Sequence, residues 1–159
     1  MTSFIKTIFK RTSIKNLLIL LICITAMSFT IWHTDFEKAK IIAKENHQLI
    51  LLNFSGSDLC GPCMRMRKEI FDDKNFLAMA DTSLVLINAD FPRNKKNKLD
   101  VISTKKNETL ADRYNPDGKF PFTLLLNAEG KVIKVWDGLP NENAIQLARI
   151  IKIICDANR

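Results

Sequence analysis

Cys60-Gly61-Pro62-Cys63 stands between an apolar run of strand length, Leu49 to Phe54, and a Met/Arg/Lys stretch from Met64 to Ile70. That arrangement demands a strand, a tight loop and a helix in immediate succession. Two cysteines separated by two residues can close a small disulfide. A helix start then favours the thiolate, because its unpaired N–H groups and its dipole attract negative charge. Pro62 suits a first helical turn, where its missing N–H costs nothing and its fixed φ is already helical, and Gly61 lets the backbone turn tightly. Cys60 is therefore the expected nucleophile and Cys63, one turn in, the resolving thiol.

The same spacing is half of a zinc site. A closed structural zinc site takes four ligands. The chain has no second CxxC: its other cysteines are Cys23 and Cys155, and its two histidines, His33 and His47, both precede the motif without paired spacing. The strand-loop-helix context favours redox chemistry over zinc, with a purely structural disulfide as the plainer alternative. A dithiol of this kind needs no metal and no organic cofactor.

Lys6, Lys10, Arg11 and Lys15 lead into an uncharged run from Leu17 to Trp32, and no acid occurs before Asp35. A positive head before an apolar stretch reads as an export signal rather than as a core helix. Residues 1–32 are expected to be a signal peptide or membrane anchor, and residues 33–159 the folded domain. Ala26 and Ser28 offer a small-x-small cleavage site. Trp32, placed at a membrane interface, would instead extend the anchoring segment 14–32 towards the ~20 residues that span a bilayer. Both forms fit the pattern. Cys23 reads as an ordinary apolar cysteine, since Ile22 is large for the residue before a lipidated one. Export would put the domain in the periplasm or on the periplasmic face of the inner membrane. In that oxidising compartment a reducing dithiol needs a dedicated supply of electrons.

The formal charge of +7 falls to +3 when residues 1–28, which hold four basic residues and no acidic one, are set aside. A charge of that size assigns no nucleic-acid role.

The remaining chain is one domain's worth. Thr34 and Glu37 have capping-box spacing, and a helical pattern follows from Asp35 to about Glu45, ended by Asn46-His47. Leu49 to Phe54 and Leu84 to Ala89 read as buried strands, with a helical turn or two at Asn75 to Ala80. Pro92 to Asn107, rich in Lys and Asn, reads as an exposed loop whose lysines form a solvated face. Thr109 to Tyr114 is a short helix stopped by Asn115-Pro116-Asp117-Gly118. Phe122 to Leu126 and Lys131 to Trp136 form a hairpin around Asn127-Ala128-Glu129-Gly130. Asn141 is expected to cap a last helix, with Cys155 a buried, inert thiol near its end.

This order predicts an α/β three-layer sandwich, a central mixed sheet flanked by helices. Together with Cys60-Gly61-Pro62-Cys63 it resembles the thioredoxin-like family, from about Lys38 to Cys155. Phe54-Ser55-Gly56-Ser57-Asp58 before the cysteines and Lys68-Glu69-Ile70-Phe71 after them are similar to segments of exported bacterial members. The resemblance implies that Pro121 is a cis-proline beside the dithiol, leaving the backbone edge at Phe120 open to a substrate's extended chain, and that Gly138 leaves room for a partner protein. Taken alone, Pro121 would be a trans proline opening an edge strand, and Gly138 a turn glycine.

Two positions depart from the pattern. Leu59 stands where many relatives carry tryptophan. Asn53 occupies about the place of a buried acid that helps deprotonate the resolving cysteine. Asn cannot take up a proton, which leaves Asp58 or Glu69 as the acids nearest in sequence.

The resemblance implies a thiol-disulfide oxidoreductase of the bacterial cell envelope, acting on protein disulfides and fed by an envelope electron donor. Gly61, Pro62, Phe120, Pro121 and Gly138 would contact the substrate. Gly61-Pro62 resembles the pair of reducing thioredoxins, whose potentials are about −270 mV, against about −120 mV for strongly oxidising relatives. Reduction is the expected direction. The rival readings are an oxidase or isomerase on the same fold, and a peptide-binding module whose dithiol is structural.

Overall fold

A computed structural model describes residues 31–158. The readings placed on residues 1–30, among them the cleavage site at Ala26 and Ser28 and the role of Cys23, lie outside them. Among the described residues no helix is long and apolar enough to cross a membrane.

Two apolar runs form the centre of the sheet. β2 (Leu49–Ser55) and β3 (Leu84–Asp90) lie parallel in register, Leu49 opposite Leu84 and Ser55 opposite Asp90. β4 (Phe122–Leu126) pairs antiparallel with the other edge of β2, and β5 (Val132–Asp137) pairs antiparallel with β4. A two-residue strand, β1 (Trp32–His33), adds parallel to β3 and completes the order β1-β3-β2-β4-β5. The sheet thus begins at Trp32, inside the apolar run that the sequence assigns to the leader, and the Trp32 ring lies 5.2 Å from that of Phe71.

The strand period of two divides the core into two layers. Ile50, Leu52, Phe54, Val85 and Ile87 point to the face covered by helices α1 (Phe36–Glu45) and α4 (Val101–Tyr114). Leu49, Leu51, Leu84 and Leu86 point to the opposite face, against the motif helix α2 (Gly61–Met66), α3 (Lys74–Ser83) and α5 (Ala144–Ala157). The expected sandwich is present. Cys155 is buried in the second layer, its sulfur 3.7 Å from the Ser83 carbonyl oxygen.

Three local expectations are corrected. Asp35, not Thr34, caps α1 by accepting the Lys38 N–H at 3.1 Å. Asn143, not Asn141, caps α5, in a reciprocal capping box with Gln146. The segment Pro92 to Asn107 is a loop only in its first half. A 3₁₀ turn covers Lys95–Asn97, and α4 starts at Val101, eight residues before the expected Thr109. Asp100 starts it by accepting both the N–H and the hydroxyl of Ser103. The helix hid from its pattern because it buries only Asn107, Leu110 and Tyr114, leaving Val101 85% and Ile102 71% exposed. Lys106 ties its exposed flank to the Asp35 cap at 2.8 Å.

Candidate active site

The carboxyl end of β2 delivers the dithiol. After Ser55 the chain turns, the Cys60 N–H donates to the Gly56 carbonyl at 3.1 Å, and Cys60 takes the N-cap position of α2. Its sulfur accepts the Cys63 N–H at 3.2 Å. A helix-start donor is therefore aimed at the sulfur assigned the nucleophile's role. Cys60 and Cys63 are joined by a disulfide, S–S 2.08 Å, with Cα atoms 5.2 Å apart. Cys60 is half-buried, and Cys63 is 5% exposed.

Pro62 lies in the first turn, as its chemistry suggests. Gly61 is not held by geometry: it is the first helical residue, its φ is not positive, and a side chain there would meet open space. After Met66 the helix widens into one π-helical turn, Arg67–Phe71. This turn buries Ile70 and Phe71, while the Arg65–Glu69 pair at 3.2 Å and the Arg67–Asp72 pair at 2.7 Å lie in solvent.

On the Cys60 side a cavity of about 620 Å³ opens, with Leu59, Cys60, Phe91, Leu99 and Phe120 among its walls. Leu59 is 68% exposed at its rim. The Phe120–Pro121 peptide bond is cis. Pro121 accepts the Gly138 N–H at 2.9 Å, and Gly138 has φ +85, a backbone region that favours glycine. Asp58 braces this side by accepting the N–H groups of Arg93 at 2.9 Å and Asn94 at 2.8 Å and the Asn97 amide at 3.2 Å. The Arg93 N–H, above all, holds the Asp58 carboxyl below the usual aspartate range.

On the Cys63 side lies a smaller chamber of about 220 Å³, walled by Trp32, Asn53, Ser55, Cys63, Arg67 and Asn88 among others. Its floor is a hydrogen-bonded ladder. Asn53 accepts the Thr123 hydroxyl at 2.9 Å and donates to Asn88 Oδ1 at 2.8 Å. The Ser55 hydroxyl lies 3.1 Å from Asn88 Oδ1 and 3.0 Å from Asp90 Oδ1. Ser57 donates its N–H to Asp90 Oδ1 at 2.9 Å and its hydroxyl to Oδ2. Asn53 thus lines the same chamber as the resolving cysteine. The two acids nearest in sequence do not line this chamber: Asp58 faces the Cys60 cavity, and Glu69, its pKa lowered by the Arg65 hydrogen bonds, lies at the surface.

Sequence reasoning missed Asn88 and Asp90. Their signal was a period-two polar alternation, Asn53/Ser55 and Asn88/Asp90, ending two runs that read as wholly apolar. A dithiol with a capped outer sulfur, a buried inner one and a cavity against the outer one can carry out thiol-disulfide exchange.

The comparisons agree with this geometry. A thioredoxin-like domain model matches residues 36–151. The disulfide bond reductase DsbH of Chlamydia pneumoniae is 31% identical over 116 residues, 73% of this chain and 68% of that protein. The thioredoxin-related protein DsbJ of the same organism is 25% identical over 151 residues, 87% of this chain, which spans only 42% of DsbJ. A solved structure of a DsbH oxidoreductase superposes with a TM-score of 0.72 at 26% identity, covering 83% of this chain and 88% of that one. A thioredoxin from Thermus thermophilus shares the fold, with a TM-score of 0.58 at 15% identity, covering 81% and 88% of the two chains. With sheet order, dithiol placement and these relatives in agreement, the chain belongs to the thioredoxin-like family.

Proposed function

We propose that the protein reduces protein disulfides in the bacterial cell envelope. The observation that carries this reading is the Cys60 sulfur, held 3.2 Å from the Cys63 N–H at the wall of the 620 Å³ cavity. In the reduced protein the Cys60 thiolate attacks a substrate disulfide, forming a mixed disulfide and releasing one substrate thiolate. Cys63 then attacks the Cys60 sulfur, freeing the second and closing the Cys60–Cys63 bond. Two electrons pass to the substrate, and an envelope donor returns them. The substrate chain runs past Gly61, Pro62, Phe120, Pro121 and Gly138. The Gly-Pro pair between the cysteines and a relative described as a disulfide bond reductase support the reducing direction. The basic-then-apolar leader supports export, with residues 1–32 as signal peptide or anchor.

Equilibration with glutathione tests the direction. A potential close to the reducing thioredoxins, with catalytic reduction of insulin, is expected; one close to the strong oxidants would replace reductase by oxidase. Cys63→Ala expressed in cells should strand mixed disulfides on Cys60. A reporter fused after residue 32 that works only outside the cytoplasm should be active.

A further inference from the structure

Proton transfer to and from the resolving cysteine has no acid at Asn53. Parallel register puts Asn53 opposite Asn88 and Ser55 opposite Asp90, and the pleat turns all four to the face that carries Leu49, Leu51, Leu84 and Leu86 earlier along the strands. That face changes from apolar to polar where the strands reach the chamber beside Cys63. A buried polar patch of this kind is costly unless every member is paired. Here the members are paired.

The Ser55 hydroxyl has a single proton and two acceptors within reach. Asn88 Oδ1 already accepts the Asn53 amide at 2.8 Å, and a carboxylate oxygen is the stronger acceptor, which favours Asp90 for the Ser55 proton. Asp90 in turn receives only donors: Ser55, the Ser57 hydroxyl and the Ser57 N–H. A side chain that meets only donors has acceptor capacity for a proton. With its hydrogen committed to Asp90, the 7% exposed Ser55 oxygen keeps lone pairs for a donor inside the chamber. Cys63 is the thiol in that wall.

We infer that Asp90, acting through the Ser55 hydroxyl, receives the proton of Cys63 when the mixed disulfide is resolved. The inference rests on the exchange reaction proposed above. The Cys63 S–H proton passes to the Ser55 oxygen while the Ser55 proton passes to Asp90. The Cys63 thiolate then forms its S–S bond to Cys60 as the Cys60–substrate S–S bond breaks. The departing substrate thiolate takes the electron pair and is protonated from solvent, and Asp90 returns its proton to solvent. Asp90 is a positioning residue in this scheme: it touches Ser55, not sulfur.

Rapid mixing of the reduced full-length protein with a peptide disulfide, quenched by acid and alkylation and read by mass spectrometry, separates the two steps. Wild-type protein should pass through the mixed disulfide without accumulating it. Asp90→Asn and Ser55→Ala should each let it accumulate, with resolution slowed roughly tenfold to a hundredfold and attack by Cys60 within about twofold of wild type. Asp90→Glu should recover most of the resolving rate, and added formate should accelerate resolution in Asp90→Ala. Resolution at the wild-type rate in both Asp90→Asn and Ser55→Ala overturns the inference, as does equal slowing of attack and resolution. Should Asp90→Asn not fold, Ser55→Ala decides alone. A wild-type protein that forms no mixed disulfide refutes the proposed exchange itself, a separate result.

Discussion

The two sulfurs of one disulfide face different solvents. Cys60 looks into a wide, mainly apolar cavity rimmed by an exposed leucine and roofed by the loop that Asp58 tethers. Cys63 looks into a small chamber lined by the amides of Asn53 and Asn88 and the hydroxyls of Ser55 and Ser57, and both serines bond on to Asp90, a carboxylate that lines the Cys60 cavity. An apolar cavity recognises side chains, whereas a satisfied polar ladder holds protons and little else. On the reading proposed above, recognition falls to one side and proton handling to the other, the two meeting at Asp90, so damage to Leu59 or Asp58 should leave a signature that damage to Asn53 or Ser55 does not.

The sharpest contrast is in stability. Asn53→Asp removes the amide that donates to Asn88 and sets a carboxyl against its oxygen. The loss should be about 1–3 kcal/mol in urea denaturation. Asp58→Asn, in a polar loop on the other side, should move the urea midpoint less than Asn53→Asp does. Equal costs would erase the distinction between the two sides.

A smaller effect belongs to the Cys60 side alone. Leu59→Ser withdraws an exposed apolar group that a bound protein would cover, and kcat/KM for a protein disulfide should fall about fivefold, roughly 1 kcal/mol. Resolution of the mixed disulfide should keep its rate. Slowed resolution would mean that the two sides are not separate.

The smallest effect is set by pH. Because the Asp58 carboxyl is held below its ordinary value of 3.8, its tether is fully present above about pH 4 and is lost as pH falls through the lowered value. The amide resonances of Arg93 and Asn94 should shift together on acidification and lose that shift in Asp58→Asn. Resonances that stay fixed while the ladder's side-chain signals move would place the acid-sensitive contact on the wrong side.

The layered fold was legible because β2, β3 and β4 are apolar runs of strand length bounded by turn residues, and because the hairpin signal at Asn127 to Gly130 is local. β1 was not, since a two-residue strand has no period to read and here overlaps the end of the apolar run from Leu17 to Trp32. The start of α4 was masked by a buried stripe of only three residues. At the site, the cysteines and Pro62 were legible because their chemistry is local. The polar ladder was not, because its meaning depends on the register of β3 against β2, which brings residues 35 positions apart into hydrogen-bond range.

The single wide turn after the motif helix carries a mechanical consequence. An α-helix advances about 100° per residue, and one residue more in a turn offsets the face presented before it from the face presented after it. Arg67–Phe71 takes up that offset between Cys63 and Phe71, two walls of one chamber. Deleting one residue there would restore an unbroken spiral and, with Phe71 held between Trp32 and Phe76 at 5.2 Å each, turn the inner sulfur out of the chamber it shares with Ser55. Counting residues along this helix is therefore equivalent to aiming a thiol.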